Sequence, residues 1–290
     1  MATVLTPLPD SAAATSSPRL LPISRAGVAF LFVLAVANGI FLYLMAGSAD
    51  TDYAWSIKPP AAAAFLGAGY LAGTIATGTV VFFTERWRSL RTLALPLVVL
   101  SLLLDLATIV HADRFKWDYP LTWIWAVVYA GIPFGVAILW RRQERIAPPA
   151  PAADPALRVL RALSAVLGVV LLAGALWMYV APESGLAAEW PWPLTPLLAR
   201  ATAAWHAMIG CSLVVCAWSL RRGHEAVIPY ATLAAWSVLV LAVALLHHGD
   251  VADGASASAP WAVVMGLLVA LAVYALATAV PAMRRSRESL

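Results

Sequence analysis

The sequence is poor in charge. Asp, Glu, Lys and Arg together make up 12% of its 290 residues, whereas 62% of the residues are hydrophobic. A soluble domain carries about 25% charged residues, so this chain has too few to cover a surface that faces water. The mean hydropathy of +0.82 agrees with that deficit. Composition therefore excludes an ordinary soluble protein and predicts a chain for which the lipid bilayer is the solvent.

Cysteine and catalytic motifs are scarce as well. Cys211 and Cys216 lie five positions apart in one predicted helix, about 140° around its axis, and form no disulfide framework. The sequence contains no Gly-rich phosphate loop, no Gly-x-Ser-x-Gly and no His-Glu-x-x-His, so nothing in it identifies an enzyme. The net charge of +4 does not indicate nucleic-acid binding, because the basic residues are spread over loops.

Eight long apolar runs are what the sequence does contain. Each has about 20 residues or more, enough to cross a hydrocarbon layer of about 30 Å. They cover residues 26–47, 60–84, 92–111, 121–140, 159–181, 194–220, 226–247 and 260–282. We therefore predict an all-α polytopic membrane protein with eight transmembrane helices.

One stretch of the chain occurs twice, which predicts a tandem duplication. A shift of 137 positions places Trp55 on Trp192, Pro59 on Pro196, Gly73 on Gly210, His111 on His248 and Asp113 on Asp250. Four helices per repeat is an even number, so the repeats are parallel and related by a pseudo-two-fold axis along the membrane normal. The predicted parts are a disordered cytoplasmic tail (1–24), the first four-helix repeat (25–140), a Pro-rich cytoplasmic linker (141–158), the second repeat (159–283) and a basic tail (284–290).

The basic residues predict the orientation in the membrane. Most of the 19 lie in the tails, in the linker and in the loops that follow the second and sixth helices, with Lys58, Arg114 and Lys116 on the opposite side. The positive-inside rule then places both termini in the cytoplasm, and the chain reads like a bacterial integral protein of the plasma membrane. On the outer face, Trp55 and Trp192 form an aromatic motif that we interpret as part of an interface belt.

Each repeat also ends its third helix with a His-x-Asp pair. These residues are His111 with Asp113, and His248 with Asp250, beside His247. If the pseudo-two-fold axis brings the pairs together, two imidazoles and two carboxylates are plausible ligands of a divalent metal such as Zn²⁺ or Cu²⁺. The simpler interpretation is a helix end, where a histidine meets the negative end of the helix dipole and an aspartate lies in the loop.

Polar residues within the predicted spans are the other candidates. Asp105 and Arg200 lie at similar depths, about 9–10 Å below the outer boundary, and neither has a charged residue at the matching position of the other repeat. Charge inside a span is costly, so we predict an ion pair between the third and sixth helices. His206, Asn38 and Tyr70 are further members of an interior polar cluster.

Three classes of function remain open. The first is a transporter or permease for a small solute or ion, with its path at the repeat interface near the intramembrane polar residues. The second is a sensor, an assembly subunit with a membrane-protein partner, or a metal-binding module that uses the outer His/Asp/Trp surface. The third is a haem or quinone redox protein.

The four-plus-four arrangement resembles haem A synthases, which bind haem through histidine pairs inside their helices. Only His206 lies well inside a span here, so that resemblance assigns no site residues, and we favour transport.

Overall fold

The structure, a computed structural model, describes residues 19–83, 87–147, 150–183, 185–251 and 255–288. Its α-helices are α1 (Pro22–Leu44), α2 (Pro60–Phe82), α3 (Trp87–Val110), α4 (Pro120–Glu144), α5 (Arg158–Val180), α6 (Pro196–Ser219), α7 (Val227–Leu246) and α8 (Ala255–Glu288). All eight contain a stretch long and apolar enough to cross a membrane, and these described ranges hold no β-strand. The prediction of an all-helical, multi-pass membrane protein in contact with lipid is confirmed at this level.

The helix boundaries follow from local chemistry and shift some of the predicted ends. Proline occupies the first position of α1, α2, α4 and α6, where its missing N–H would have had no helical partner. The predicted basic tail from residue 284 continues α8 as far as Glu288. Most of the predicted N-terminal tail, residues 1–18, lies outside the described residues, as do Pro148 and Pro149 of the linker.

The helices pack in the same way in both halves of the chain. Consecutive pairs α1–α2 and α3–α4 correspond to α5–α6 and α7–α8, and across the halves α3 packs on α6 while α2 packs on α7. The four helices α2, α3, α6 and α7 thus form the centre, with the other four on the outside. This is the pattern that a tandem duplication would produce, although the repeat and its symmetry axis stay predictions.

Two arginines close matching helix pairs near one end of the bundle. The Nε atom of Arg25 in α1 donates to the carbonyl oxygen of Val81 at 3.1 Å, and Arg161 in α5 donates in the same way to Ala217 at 2.5 Å. Both bonds join residues 56 positions apart and reach the last turn of the next helix, where carbonyl groups lack helical donors. Both halves of the chain therefore cap carbonyl groups at the end of a helix with an arginine side chain from the preceding helix.

Glycine allows the paired helices to approach closely. A Cβ atom on Gly168 would lie 2.8 Å from the carbonyl oxygen of Gly210, and one on Gly67 would lie 2.5 Å from the backbone nitrogen of Tyr43. These contacts join α5 to α6 and α1 to α2. Small residues at such crossings are the usual means by which membrane helices pack, because lipid provides no hydrophobic drive between them.

Candidate functional site

A cavity of about 750 Å³ lies among α1, α2, α3, α4, α6 and α7. Its lining extends over residues 24–41 of α1 and 121–140 of α4, a length of about 25 Å along each helix. These two helices make only sparse contact with each other. Phe30 and Val127, which line the cavity, are 56% and 67% exposed. The cavity therefore opens sideways between α1 and α4, within the part of the chain that spans the membrane.

One end of the cavity holds a cluster of hydrogen-bonded polar side chains, Asn38, Tyr53, Tyr70 and Tyr129, which we call the tyrosine cluster. The Tyr53 hydroxyl donates to Oδ1 of Asn38 at 2.9 Å, and the hydroxyl oxygens of Tyr70 and Tyr129 lie 2.5 Å apart. Asn38 is fixed in turn, because its amide nitrogen donates to the carbonyl oxygen of Leu34 at 2.9 Å. The cluster is an ordered set of donors and acceptors at one end of a mostly apolar, uncharged space.

The sequence brings these four side chains together from three helices and a loop. Asn38 lies six positions before the end of α1, while Tyr70 and Tyr129 lie ten and nine positions after the starts of α2 and α4. At about 1.5 Å per residue, all three are about 9–15 Å below the same end of the bundle. Tyr53 reaches them from the α1–α2 loop. Burial, with a smaller effect of the nearby Tyr129, holds the pKa of Tyr53 well above its usual value, so its hydroxyl stays protonated.

The α1–α2 loop that carries Tyr53 is held down by aromatic packing. The Trp55 ring lies 5.1 Å from that of Phe115 and 4.7 Å from that of Trp125, and Thr122 donates to the Ala54 carbonyl at 3.2 Å. Trp55 is only 2% exposed. The loop is therefore part of the core and positions Tyr53 firmly above the cavity.

Aromatic rings and open space make up the rest of the lining near the cluster. The Trp125 ring lies 4.3 Å from Tyr129, and the Trp205 ring lies 5.1 Å from Tyr70. Of the described residues that line the cavity, none carries a charge. A Cβ atom added at Gly73 would meet nothing within 4 Å. This glycine therefore faces the open space of the cavity.

Sequence reasoning found half of this cluster. It singled out Asn38 and Tyr70 as interior polar residues, and the structure brings them to one site. Tyr53 and Tyr129 were missed. A signal was available, because Tyr70 and Tyr129 stand at nearly the same distance from the starts of their helices.

The expected ion pair between Asp105 and Arg200 is not observed between these two described residues. Nη1 of Arg200 instead lies 2.6 Å from Nε2 of His111, at the end of α3. Six helical positions separate Asp105 from His111, which places them about 120° apart around the axis. Similar depth was not enough for an ion pair, because it is His111 and not Asp105 that meets the Arg200 guanidinium.

The contact with Arg200 also defines the state of His111. A guanidinium can only donate, so Nε2 of His111 must be unprotonated and accept. Burial and the positive charge of Arg200 lower the pKa of His111, which favours the neutral ring. Arg200 also lies over the ring of Tyr179, with its Cζ 5.9 Å from the ring centre. The arginine is thus held between α3 and α5 near the end of the span.

His206 lies in a box of aromatic rings rather than in a polar path. Its Nδ1 is 2.8 Å from the carbonyl oxygen of Thr202, and its ring stacks on Phe65 at 5.6 Å. Trp190 and Trp236 approach the ring edge-on at 5.3 and 5.5 Å. In the described contacts no second histidine faces it, so the geometry offers no pair of axial haem ligands.

The residues of the metal hypothesis do not converge. They are His111, Asp113, His247, His248 and Asp250. Asp250 accepts from the backbone N–H of Ala61 at 2.9 Å and lies 3.9 Å from Nδ1 of His247, while Asp113 pairs with Arg114 at 3.1 Å. Over the described ranges, no group of three or more His, Cys, Asp or Glu side chains could hold a metal ion. Each motif is occupied by its own neighbours, which leaves no common site.

The outer aromatic motif is not a membrane belt. Trp55 and Trp192 are 2% and 1% exposed, whereas belt residues lie at the interface between lipid and water. Trp192 packs beside Phe65, Trp190 and Trp261, as Trp55 packs in its own aromatic group. Both tryptophans are core residues, because the loops that carry them fold back over the helix ends.

The eight helices and the cavity provide a basis for comparison with known proteins. The chain matches no family model, no curated protein and no solved structure.

Proposed function

We propose that this membrane protein binds a lipophilic small molecule, which enters sideways from the bilayer between α1 and α4. The observation that carries the proposal is the cavity of about 750 Å³, apolar along its length and polar at the tyrosine cluster. Small-molecule sites commonly have volumes of about 300–1,000 Å³ and combine an apolar lining with a few placed polar groups. An apolar body would lie along α1 and α4, with its polar end at Tyr70 and Tyr129.

The same geometry supports binding better than passage of a polar solute. A path for an ion or small solute needs polar or ionisable groups that follow one another through the membrane. Asp105, Arg200 and His206 do not line the cavity, and each has different surroundings. Transport stays a prediction of the sequence, and the function proposed here is the binding of a ligand that comes from the bilayer. The cytoplasmic location of both termini and the location of the protein in the plasma membrane also remain predictions.

A cavity-filling variant tests the proposal. Gly73→Leu puts an isobutyl group into the open space, without a clash at its Cβ. We expect wild-type protein, purified in mild detergent, to retain about one lipophilic molecule per chain, detected by native mass spectrometry and solvent extraction. Gly73→Leu should lose most of it, because ligand and side chain compete for the same volume.

The matched control is Gly266→Leu in α8. A Cβ atom there also meets nothing within 4 Å, but Gly266 does not line the cavity. Gly131→Leu fills the same cavity from α4. Loss of ligand in both variants would show that filling the cavity, and not a local change in α2, is the cause. If wild-type protein retains no such molecule and binds none that is added, or if Gly73→Leu and Gly266→Leu retain it equally, the proposal fails.

A further inference from the structure

The polar end of the cavity narrows the chemical class of the ligand. Building on the proposed function, we propose that the ligand is a lipid quinone or its quinol, a neutral planar ring with two oxygens and a long apolar tail. Three features lead to this class: the uncharged lining, the chemistry of the tyrosine hydroxyls, and the aromatic rings beside them.

The lining excludes a charged head group. None of the described residues around the cavity is Lys, Arg, His, Asp or Glu. A phosphate or carboxylate there would lose its hydration without gaining an ion pair, which is strongly unfavourable in an apolar space. The lysines near this end of the bundle are occupied, since Lys58 pairs with Asp50 at 2.8 Å and Lys116 donates to the carbonyl oxygens of Asp50 and Thr51. Anionic phospholipids and fatty acids therefore fit poorly.

The tyrosine hydroxyls suit an oxygen that changes between acceptor and donor. Tyr70 and Tyr129 share one hydrogen bond, and either can be its donor, so one O–H of the pair remains for Tyr53 or for a ligand. That proton can be donated to the carbonyl of a quinone. The hydroxyl oxygens also keep lone pairs, which can accept from the O–H of a quinol. A head group with only a carbonyl could accept from the tyrosine hydroxyls but not donate to them, and an ammonium group could donate but not accept.

The surroundings of the cluster favour a flat ring over a branched head group. Trp125 and Trp205 contact Tyr129 and Tyr70 and line the same end of the cavity. Aromatic faces and edges pack well against another planar ring. Below the tyrosine cluster, the lining continues to Ser24 of α1 and Trp140 of α4, about 16–21 Å along the helices, which accommodates an extended tail.

A binding assay with a simple quinone tests this inference. Delipidated protein in detergent is titrated with a decyl-substituted 1,4-benzoquinone, and the bound quinone is quantified by extraction after rapid gel filtration. We expect saturable binding of about one quinone per chain. The double variant Tyr70→Phe/Tyr129→Phe keeps both rings, removes both hydroxyls and should weaken binding about tenfold, as the loss of a hydrogen bond predicts.

Two controls make the result specific. Tyr274→Phe in α8 removes the hydroxyl of a residue that is 37% exposed and does not line the cavity, and this variant should bind quinone as wild type does. Decanol has the same tail without the ring, and it should not saturate in the same concentration range. If the double variant binds quinone as tightly as wild type does, or decanol binds equally well, the quinone inference is overturned.

The failure of this inference can be separated from the failure of the proposed function. If wild-type protein binds a different neutral lipid and Gly73→Leu abolishes that binding, the cavity binds lipid but not quinone. If neither quinone nor any neutral lipid binds, both proposals fall together. Thermal unfolding of each variant, compared with wild type, shows whether a loss of binding reflects a loss of the fold.

Discussion

At the scale of single residues, one neighbour determines how a charge is accommodated near the end of a span. Arg200 lies in α6, but its guanidinium reaches the end of α3, where Nε2 of His111 accepts from it at 2.6 Å. The long arginine side chain thereby carries its charge toward the helix end, as snorkelling side chains do. The arrangement requires a neutral histidine, which makes it sensitive to acid.

This contact predicts lower stability at acidic pH. The pKa of His111 is lowered in the folded protein, so the proton binds more readily to the unfolded chain. The stabilisation is present above the ordinary histidine pKa of about 6.5 and is lost as the pH falls through it towards the folded value. Of the other charges beside His111, Asp113 opposes this shift and Arg114 adds to it.

The measurement is the unfolding midpoint of detergent-purified protein at pH 7.5 and pH 5.5. His111→Gln keeps an acceptor for Arg200 but cannot titrate, so wild type should lose about 1–3 °C more than this variant between the two pH values. Equal losses in the two proteins would show that His111 does not carry the effect.

At the scale of helices, α2 and α6 are capped by different means at matching positions. α6 begins after Thr195, whose hydroxyl accepts from the N–H of Leu198 at 3.3 Å. α2 begins after Pro59, which has no side-chain acceptor, and Asp250 from the other half of the chain accepts from Ala61 instead. The start of α2 therefore depends on the end of α7.

Removing this remote cap should destabilise the protein. Asp250→Ala leaves one N–H of the first turn of α2 without its acceptor, and loss of a cap costs about 0.5–2 kcal/mol. The matched control is Asp113→Ala, the same change in the other His-x-Asp motif, where the carboxylate pairs with an exposed Arg114 and contributes little. The thermal midpoint of Asp250→Ala should fall by several degrees relative to that of Asp113→Ala. Equal midpoints would contradict the capping role.

At the scale of the whole molecule, the centre of the bundle joins the two halves and the outer helices cover it. α2 packs on α7 and α3 on α6, while α1, α4, α5 and α8 each lie on one central helix. The sparse contact between α1 and α4 follows from this plan, since each is attached to a different central helix. The lateral opening of the cavity is thus a consequence of the overall arrangement.

The predicted orientation can be tested with single cysteines. The native Cys211 and Cys216 are buried and are replaced by alanine to give a cysteine-free background. Asp52→Cys, at an exposed position of the α1–α2 loop, should react with a membrane-impermeant maleimide in intact cells. Ala150→Cys, in the linker, should react only after the cells are permeabilised. The reverse pattern would overturn the orientation predicted by the positive-inside rule.

Much of the architecture could be predicted because the bilayer imposes it on each helix separately. A run of about 20 apolar residues must span and must satisfy its own backbone, so the eight helices follow from local sequence. Depth along each helix is equally local, which is why Asn38 and Tyr70 could be recognised as interior polar residues.

Rotation about the helix axis could not be predicted in this way, because it depends on every neighbouring helix. Asp105 and Arg200 lie at similar distances from the ends of α3 and α6, yet it is His111 and not Asp105 that α3 presents to Arg200. Trp55 illustrates the same limit for loops, since nothing local distinguishes a belt tryptophan from one that is folded into the core.

Because the cavity opens sideways between α1 and α4, the concentration that governs binding of the proposed ligand is its concentration in the membrane, not in water. A ligand that arrives through that opening first dissolves in the membrane, so the relevant variable is its mole fraction among the lipids. Occupancy would then depend on membrane composition and would respond little to dilution of the surrounding water. Extraction into detergent would dilute a ligand that is dissolved in the lipid, so occupancy would fall as the detergent-to-protein ratio rises.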